Sequence, residues 1–347
     1  MKACVLHEVG DIRFQEFETP SPGAKEVLIK VMASGICGSD IPRIYKEGTY
    51  NFPTIPGHEF SGKIIKIGKN VKNLEKGDKG TVLPLMPCKK CMYCRSGNFA
   101  QCNNYDYLGS RTHGGFAEYS VVPEDNFLKL SKGVSFPEAA MVEPAAVALH
   151  ALRRAGLDIN DTVTVLGAGT IGLLASKLAL IWGANEVFIT DVVQEKLEFA
   201  EKLGFSNVFN SSEGKPAKWI KKQTEGVGTD LVIEAAGVSD TFEQAILISK
   251  NKGQIVVMGN PAGDYNISQK AVSQFLRKEV TIKGSWNSYF AEFPKNEWRV
   301  ILNLLGEKKL NLKELITHKV SFSEMEKMFE MMKNNSEFYN KVMFINK

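Results

Sequence analysis

Up to Leu130 the apolar positions fall in short runs separated by glycine and proline, at 26–31, 62–67, 80–85 and 116–122. Short β-type runs bounded by turn residues predict strands, and together these predict a β-rich unit with long loops. The texture changes at Pro137. From there to Leu157 the chain is alanine-rich and helical in pattern, with Pro144 at a helix start or a kink. Strand and helix then alternate. Residues 162–166 form a β run, 170–182 an apolar helix ended by Gly183, 186–190 a second strand and 194–203 a helix closed by Gly204. Further strands are predicted at 230–234, 254–258 and 280–283, with a last one at 341–345 after a stretch of mixed helices. Near-continuous apolar strands separated by helices predict a parallel sheet covered on both faces. The pattern describes an α/β two-domain chain: a β-rich unit at 1–150, a doubly wound unit at 151–285, and a segment, 286–347, returning to the first. A ligand is expected in the cleft between two such units.

Length agrees with two units, since single cores stop growing near about 250–300 residues and this chain has 347. A formal charge of +4 is small for that length and gives no reason to expect nucleic acid or an acidic membrane as partner. The N-terminus lacks the apolar core of a signal peptide, and the most apolar run, 171–182, is broken by Gly172, Ser176 and Lys177. Four of the six cysteines crowd between Cys88 and Cys102, which points to metal thiolates in a reducing, cytoplasmic setting.

Gly167-Ala168-Gly169-Thr170-Ile171-Gly172 fits G-x-G-x-x-G. The motif follows a strand and opens a helix, and Asp191 ends the next strand about 20 residues on, the context a Rossmann dinucleotide site requires. Gly167 makes the tight turn, Gly169 lets the pyrophosphate approach, and Gly172 permits close helix–strand packing. Asp191 can accept both ribose hydroxyls but repels a 2′-phosphate, and no arginine lies near it in sequence, so NAD is expected rather than NADP. Lys196, the nearest cation, closes the adenine side or pairs within its helix.

Cys88, Cys91, Cys94 and Cys102 place four thiols on one short loop, a spacing that suits a closed, structural Zn2+ site. Lys89, Lys90 and Arg95 can offset its charge. An iron–sulfur cluster or a redox dithiol is the alternative, supported by neither a second cysteine cluster nor a following proline. A dispersed set, Cys37, His58, Glu59 and Glu143, supplies candidates for a second metal. Singly, Cys37 or His58 reads as a core residue; the joint set beside a dinucleotide fingerprint reads as a catalytic Zn2+ with an open position.

These residues resemble the zinc-containing medium-chain alcohol dehydrogenases, in their polyol-dehydrogenase branch. The resemblance is carried by Cys37-Gly38-Ser39-Asp40, Gly57-His58-Glu59, the four-cysteine loop, residues 114–119, Glu143-Pro144 and Gly167 to Gly172. It implies a GroES-like catalytic domain with a Rossmann domain, and two Zn2+ per chain. It further implies Cys37, His58 and a glutamate as catalytic-zinc ligands, with Glu59 or Glu143 binding directly or through water. Ser39 matches the family's proton relay and Asp40 the carboxylate that orients the zinc-bound histidine. Pro42 stands where many sorbitol, threonine and alcohol dehydrogenases carry a histidine, so a proton must leave through Ser39, the cofactor ribose or water. The stretches 40–44, 84–88, 105–111 and 276–279, with Gly284-Ser285-Trp286, are similar to the galactitol-1-phosphate 5-dehydrogenase group, which implies NAD-linked oxidation of galactitol 1-phosphate to tagatose 6-phosphate.

A phosphorylated polyol needs cations at its far end, and Arg43 and Arg111 are the candidates, with a salt bridge at the loop base as the bland alternative. An unphosphorylated polyol, diol or L-threonine dehydrogenase is the neighbouring reading. A non-catalytic zinc and nucleotide-binding regulator is the reading from another class, and the intact set Cys37, Ser39, His58 and Glu143 argues against it. The family further implies a homodimer or homotetramer through edge strands near 254–286.

Overall fold

The structure, a computed structural model, describes residues 1–292 and 295–346. Two units divide the chain, Met1–Glu143 with Tyr289–Lys347, and Pro144–Ser288.

In the first unit the strands Ile316–Val320, Lys341–Ile345, Glu26–Gly35, Glu59–Ile67, Lys79–Val82 and Phe127–Lys129 lie side by side in that order, and Tyr119–Pro123 also pairs with Glu26–Gly35. Pairing is antiparallel except between Ile316–Val320 and Lys341–Ile345. The run at 80–85 splits into Lys79–Val82 and Leu85–Met86, because Pro84 has no N–H to give a ladder. The run at 116–122 gives a strand only from Tyr119: Phe116 accepts from the Cys4 N–H and Ala117 bridges Ala3, so both serve the N-terminal strand. That strand, Lys2–Glu8, pairs with Asp11–Glu16 and escapes the pattern of short alternating runs because four successive residues, Ala3 to Leu6, are buried.

The rings of Phe116, Phe329 and Phe344 meet at centroid distances of 5.4 to 6.2 Å. Each such side chain contributes about 1.5–3 kcal/mol on burial, so the cluster anchors the strand Lys341–Ile345 and the helix Met325–Asn334 to the β-rich core. Residues 137–157 form two helices. Phe136–Ala140 starts at a Ser135–Glu138 capping box, and Val142–Ala155 carries Pro144 in its first turn, where a missing N–H leaves nothing unsatisfied.

The second unit holds a parallel six-stranded sheet, in the order Val208–Asn210, Glu186–Asp191, Thr162–Leu166, Thr229–Glu234, Ser249–Val257 and Thr281–Gly284. Numbered along the chain this is 3-2-1-4-5-6, the doubly wound Rossmann order. The order reverses beside Thr162–Leu166, and the glycine turn 167–169 leaves the C-terminal end of that strand, where such sheets take their ligands.

Candidate active site and metal centres

Antiparallel pairing sets Gly35 opposite Glu59, at the end of one strand and the start of the next. That register brings the turn carrying Cys37, Ser39 and Asp40 beside His58. Cys37 Sγ, a ring nitrogen of His58 and a carboxylate oxygen of Glu59 lie within 4.8 Å of one another. The Ser39 hydroxyl donates to Cys37 Sγ at 3.2 Å. Asp40, wholly buried, accepts from the Cys37 N–H at 3.0 Å and from Arg43 Nη1 at 2.7 Å. Burial works to raise the Asp40 carboxyl, but His58, Arg43 and the Cys37 N–H outweigh it and hold it below its ordinary value.

His58 Nδ1 lies 3.4 Å from Asp40 Oδ1 and makes no well-formed hydrogen bond although it is buried. An imidazole whose Nδ1 turns to a carboxylate has Nε2 left for a metal. Burial alone would lower the His58 pKa in the metal-free chain, yet Asp40 and Cys37 outweigh burial and raise it well above its usual value.

Glu143 comes from the helix Val142–Ala155 and stands outside the close Cys37–His58–Glu59 group. Its Oε1 accepts from the Tyr107 hydroxyl at 3.4 Å, and the Tyr107 ring packs against His58 with centroids 5.8 Å apart. Burial, joined by Glu59, pushes the Glu143 carboxyl up to about 7. Two residues of this neighbourhood were not singled out in the sequence. Tyr107 carries no chemical signature of its own. Lys341, on the last strand, donates to both oxygens of Glu59 at 2.9 and 2.7 Å.

Asp40, Glu59, Glu143 and a Cys37 thiolate would bring four negative charges here, and the three carboxylates are buried. Arg43 and Lys341 supply two positive ones. A divalent cation balances the remainder, and the mixed sulfur, nitrogen and oxygen donors are those zinc takes. The residues therefore fit zinc.

The cysteine loop fits it as well. All four sulfurs lie within 4.8 Å of one another, with Cys88–Cys94 and Cys91–Cys102 each at 3.9 Å. A tetrahedron of thiolates at the usual zinc–sulfur distance has edges of about 3.8 Å, whereas a disulfide would need a far shorter separation. The N–H groups of Asn103 and Cys94 lower the Cys91 thiol to about 6, and burial raises Cys94 to about 12. Of the cations interleaved with these ligands, Lys89 pairs outward with Asp125.

In the second unit Gly167 has φ +109°, and a Cβ on Gly172 would meet the Gly167 carbonyl oxygen at 1.9 Å. Only glycines allow this turn and this helix approach. Asp191 Oδ1 accepts from the Val193 N–H at 3.0 Å, and Lys196 Nζ stands 3.9 Å from Oδ2. The N-cap of the helix Thr170–Trp182 is Gly169, which brings no side chain to that turn.

The two arginines separate. Arg43 is committed to Asp40. Arg111 is held between the rings of Tyr50 and Tyr105, its guanidinium carbon 4.1 and 4.4 Å from their centroids, and its Nε is buried without an acceptor. Tyr105 in turn meets Tyr107 edge-on at 6.5 Å.

Residues 23–132 match the model of the alcohol dehydrogenase GroES-like domain, and residues 170–306 that of the zinc-binding dehydrogenases. The chain is 38% identical to galactitol 1-phosphate 5-dehydrogenase of Escherichia coli strain K12, over 93% of each chain. The crystal structure of galactitol-1-phosphate dehydrogenase from Escherichia coli matches all of both chains with a TM-score of 0.94. Sorbitol dehydrogenase of Halalkalibacterium halodurans is 34% identical over 96% of each chain. A zinc-binding dehydrogenase from Sinorhizobium meliloti 1021, solved with NADP, is 29% identical over 99% of each chain, with a TM-score of 0.91.

Proposed function

Because the chain belongs to the zinc-binding medium-chain alcohol and polyol dehydrogenases, we propose that it oxidises a phosphorylated polyol, galactitol 1-phosphate, to tagatose 6-phosphate and passes the hydride to NAD. Cys37 and His58, with Glu59 or Glu143, are the residues that would hold the catalytic zinc. Zinc bound there lowers the pKa of a substrate hydroxyl. Ser39 carries the hydroxyl proton away, and Pro42 leaves no titratable side chain at the position that follows Ile41. Asp40 orients His58, and Tyr107 holds Glu143. Cys88, Cys91, Cys94 and Cys102 would hold the structural zinc.

The observation that carries the choice of a phosphate ester is Arg111. A guanidinium stacked between Tyr50 and Tyr105, with a buried Nε that lacks an acceptor and no carboxylate partner among the described residues, suits an anion such as a phosphate. Arg43 keeps further donors beyond the one given to Asp40 and serves as the second cation. The relative named for galactitol 1-phosphate supports the same choice. NAD is favoured by the Asp191 carboxylate, which repels a 2′-phosphate; the NADP found in the Sinorhizobium meliloti relative marks this as the residue to test.

A second reading draws on the sorbitol dehydrogenase relative: the substrate is an unphosphorylated polyol, diol or L-threonine, and Arg111 is a cation–π strut. Assembly as a homodimer or homotetramer is proposed through the edge strand Thr281–Gly284, beside which Leu276 and Trp286 are exposed. A cytoplasmic location is proposed from the free thiols. Among the described residues no helix is long and apolar enough to cross a membrane.

The test is NADH formation by zinc-loaded protein on galactitol 1-phosphate, galactitol, sorbitol and L-threonine. Preference for the phosphate ester supports the first reading. Turnover of unphosphorylated alcohols alone selects the second.

A further inference from the structure

A metal held by Cys37, His58, Glu59 and Glu143 together would have four protein ligands and no place for an alcohol, as in a closed structural site. An open position requires that a carboxylate be restrained. Glu59 is the one within 4.8 Å of Cys37 Sγ and a His58 nitrogen, and both of its oxygens accept from an ammonium, whereas Glu143 has one oxygen on the Tyr107 hydroxyl.

We infer that Lys341 is a positioning residue: it holds both oxygens of Glu59 and so restrains that carboxylate from joining Cys37, His58 and Glu143 on the metal and closing the substrate's position. The inference rests on the reading that a metal sits at Cys37 and His58. The Lys341 ammonium has three N–H donors, and three acceptors are present: Glu59 Oε1 at 2.9 Å, Glu59 Oε2 at 2.7 Å and the Ile36 carbonyl at 3.0 Å. The pair is almost sealed, with side-chain exposures of 3% for Lys341 and 1% for Glu59. Two such charges persist in a protein interior only when each is paired and hydrogen-bonded, so the tether is not one that solvent replaces.

The fold is built around the pair. Glu59 starts one strand, Lys341 starts another, and Gly35 ends the strand between them, with Gly35 opposite both Glu59 and Met343. A Cβ on Gly35 would lie 2.5 Å from Glu59 Oε2 and 3.4 Å from Lys341 Cδ. The missing side chain is the space in which carboxylate and ammonium meet. The Ile36 N–H donates to the Val342 carbonyl at 3.0 Å, so the segment that leads into Cys37 is tied to the residue after Lys341.

The test uses full-length protein loaded with cobalt(II), whose visible bands report coordination number, in wild type, Lys341→Met, Lys341→Arg and Gly35→Ala. Wild type takes two equivalents, one giving the bands of a four-coordinate mixed-donor site. In Lys341→Met those bands weaken and shift toward the five-coordinate pattern, and kcat falls about 10- to 100-fold, the loss usual for a partner of a metal ligand. Lys341→Arg restores both. Gly35→Ala, which keeps every charge but displaces Glu59, shifts the bands in the same direction, and it carries the test if Lys341→Met does not fold. Unchanged bands in both Lys341→Met and Gly35→Ala overturn the inference. Uptake of a single equivalent by wild type overturns the metal reading beneath it, a separate failure visible before any variant is made.

Discussion

Asp191 Oδ2 accepts a hydrogen bond from the backbone N–H of Ala168 at 2.8 Å, so the residue assigned to the cofactor ribose also ties the glycine turn to the neighbouring strand. A hydrogen bond to a charged group is worth about 1.5–3 kcal/mol. Asp191→Ala is therefore expected to raise the KM for NAD at least about tenfold. The KM for NADP should fall, because the repelling charge is gone. Steady-state kinetics with both cofactors read this, and an unchanged ratio of the two would remove Asp191 from cofactor selection.

On the proposed reading, Arg111 separates a phosphate ester from its parent polyol. Removing it costs the hydrogen bonds it makes to a dianion, about 10- to 100-fold in kcat/KM on galactitol 1-phosphate, while galactitol turnover changes little. The comparison is made with Arg111→Ala on both substrates. Equal losses on the two would return Arg111 to the role of a strut between Tyr50 and Tyr105.

Cys94 is buried, and its sulfur stands 3.9 Å from Cys88. Cys94→Ser is expected to lose one of two zinc equivalents by elemental analysis and to make the loop 88–102 sensitive to protease, since a metal that organises a short loop contributes its binding energy to folding. Retention of both equivalents would show that this loop is not a zinc site.

Removal of metal exposes the titration of Glu143. In the metal-free chain its carboxyl is raised by burial, and by Glu59, from 4.5 to about 7. Between those values the folded chain binds a proton that the unfolded chain does not. Stability from this group is thus present below 4.5 and is lost as the pH rises through about 7. Thermal unfolding of chelated protein should show the decline, and Glu143→Gln should flatten it. A Glu143→Gln profile parallel to that of the parent would rule out this origin.

Much of the molecule was legible in the sequence because its signals are local. The glycine turn, the strand Thr162–Leu166 and the strand Lys341–Ile345 are each written within a few residues, by φ requirements or by apolar runs. So is the cysteine loop, whose spacing alone suits four sulfurs around one ion. Of the hairpin Lys2–Glu8 and Asp11–Glu16 only Cys4 reads as a buried strand residue: burial of the consecutive residues Ala3 to Leu6 erases the alternation that would delimit the first strand, and the second buries no residue fully. Lys341 was missed for a different reason. It is 282 positions from Glu59, and only the pairing of three strands brings the two together. In sequence it is one lysine before an apolar run, and nothing distinguishes it from a solvated strand end. Arg43 shows the same limit: its commitment to Asp40 is a matter of side-chain direction, which spacing does not state.

Titration of chelated protein with zinc decides whether Cys37 and His58 hold a metal on which the dehydrogenation depends. NADH formation from the polyol phosphate should stay absent until the cysteine loop is filled and then rise in proportion to the second equivalent. In Cys37→Ala the protein should take up one equivalent and remain inactive. Full turnover by chelated protein, or by Cys37→Ala with a single equivalent bound, would mean that no metal at Cys37 and His58 takes part in the reaction.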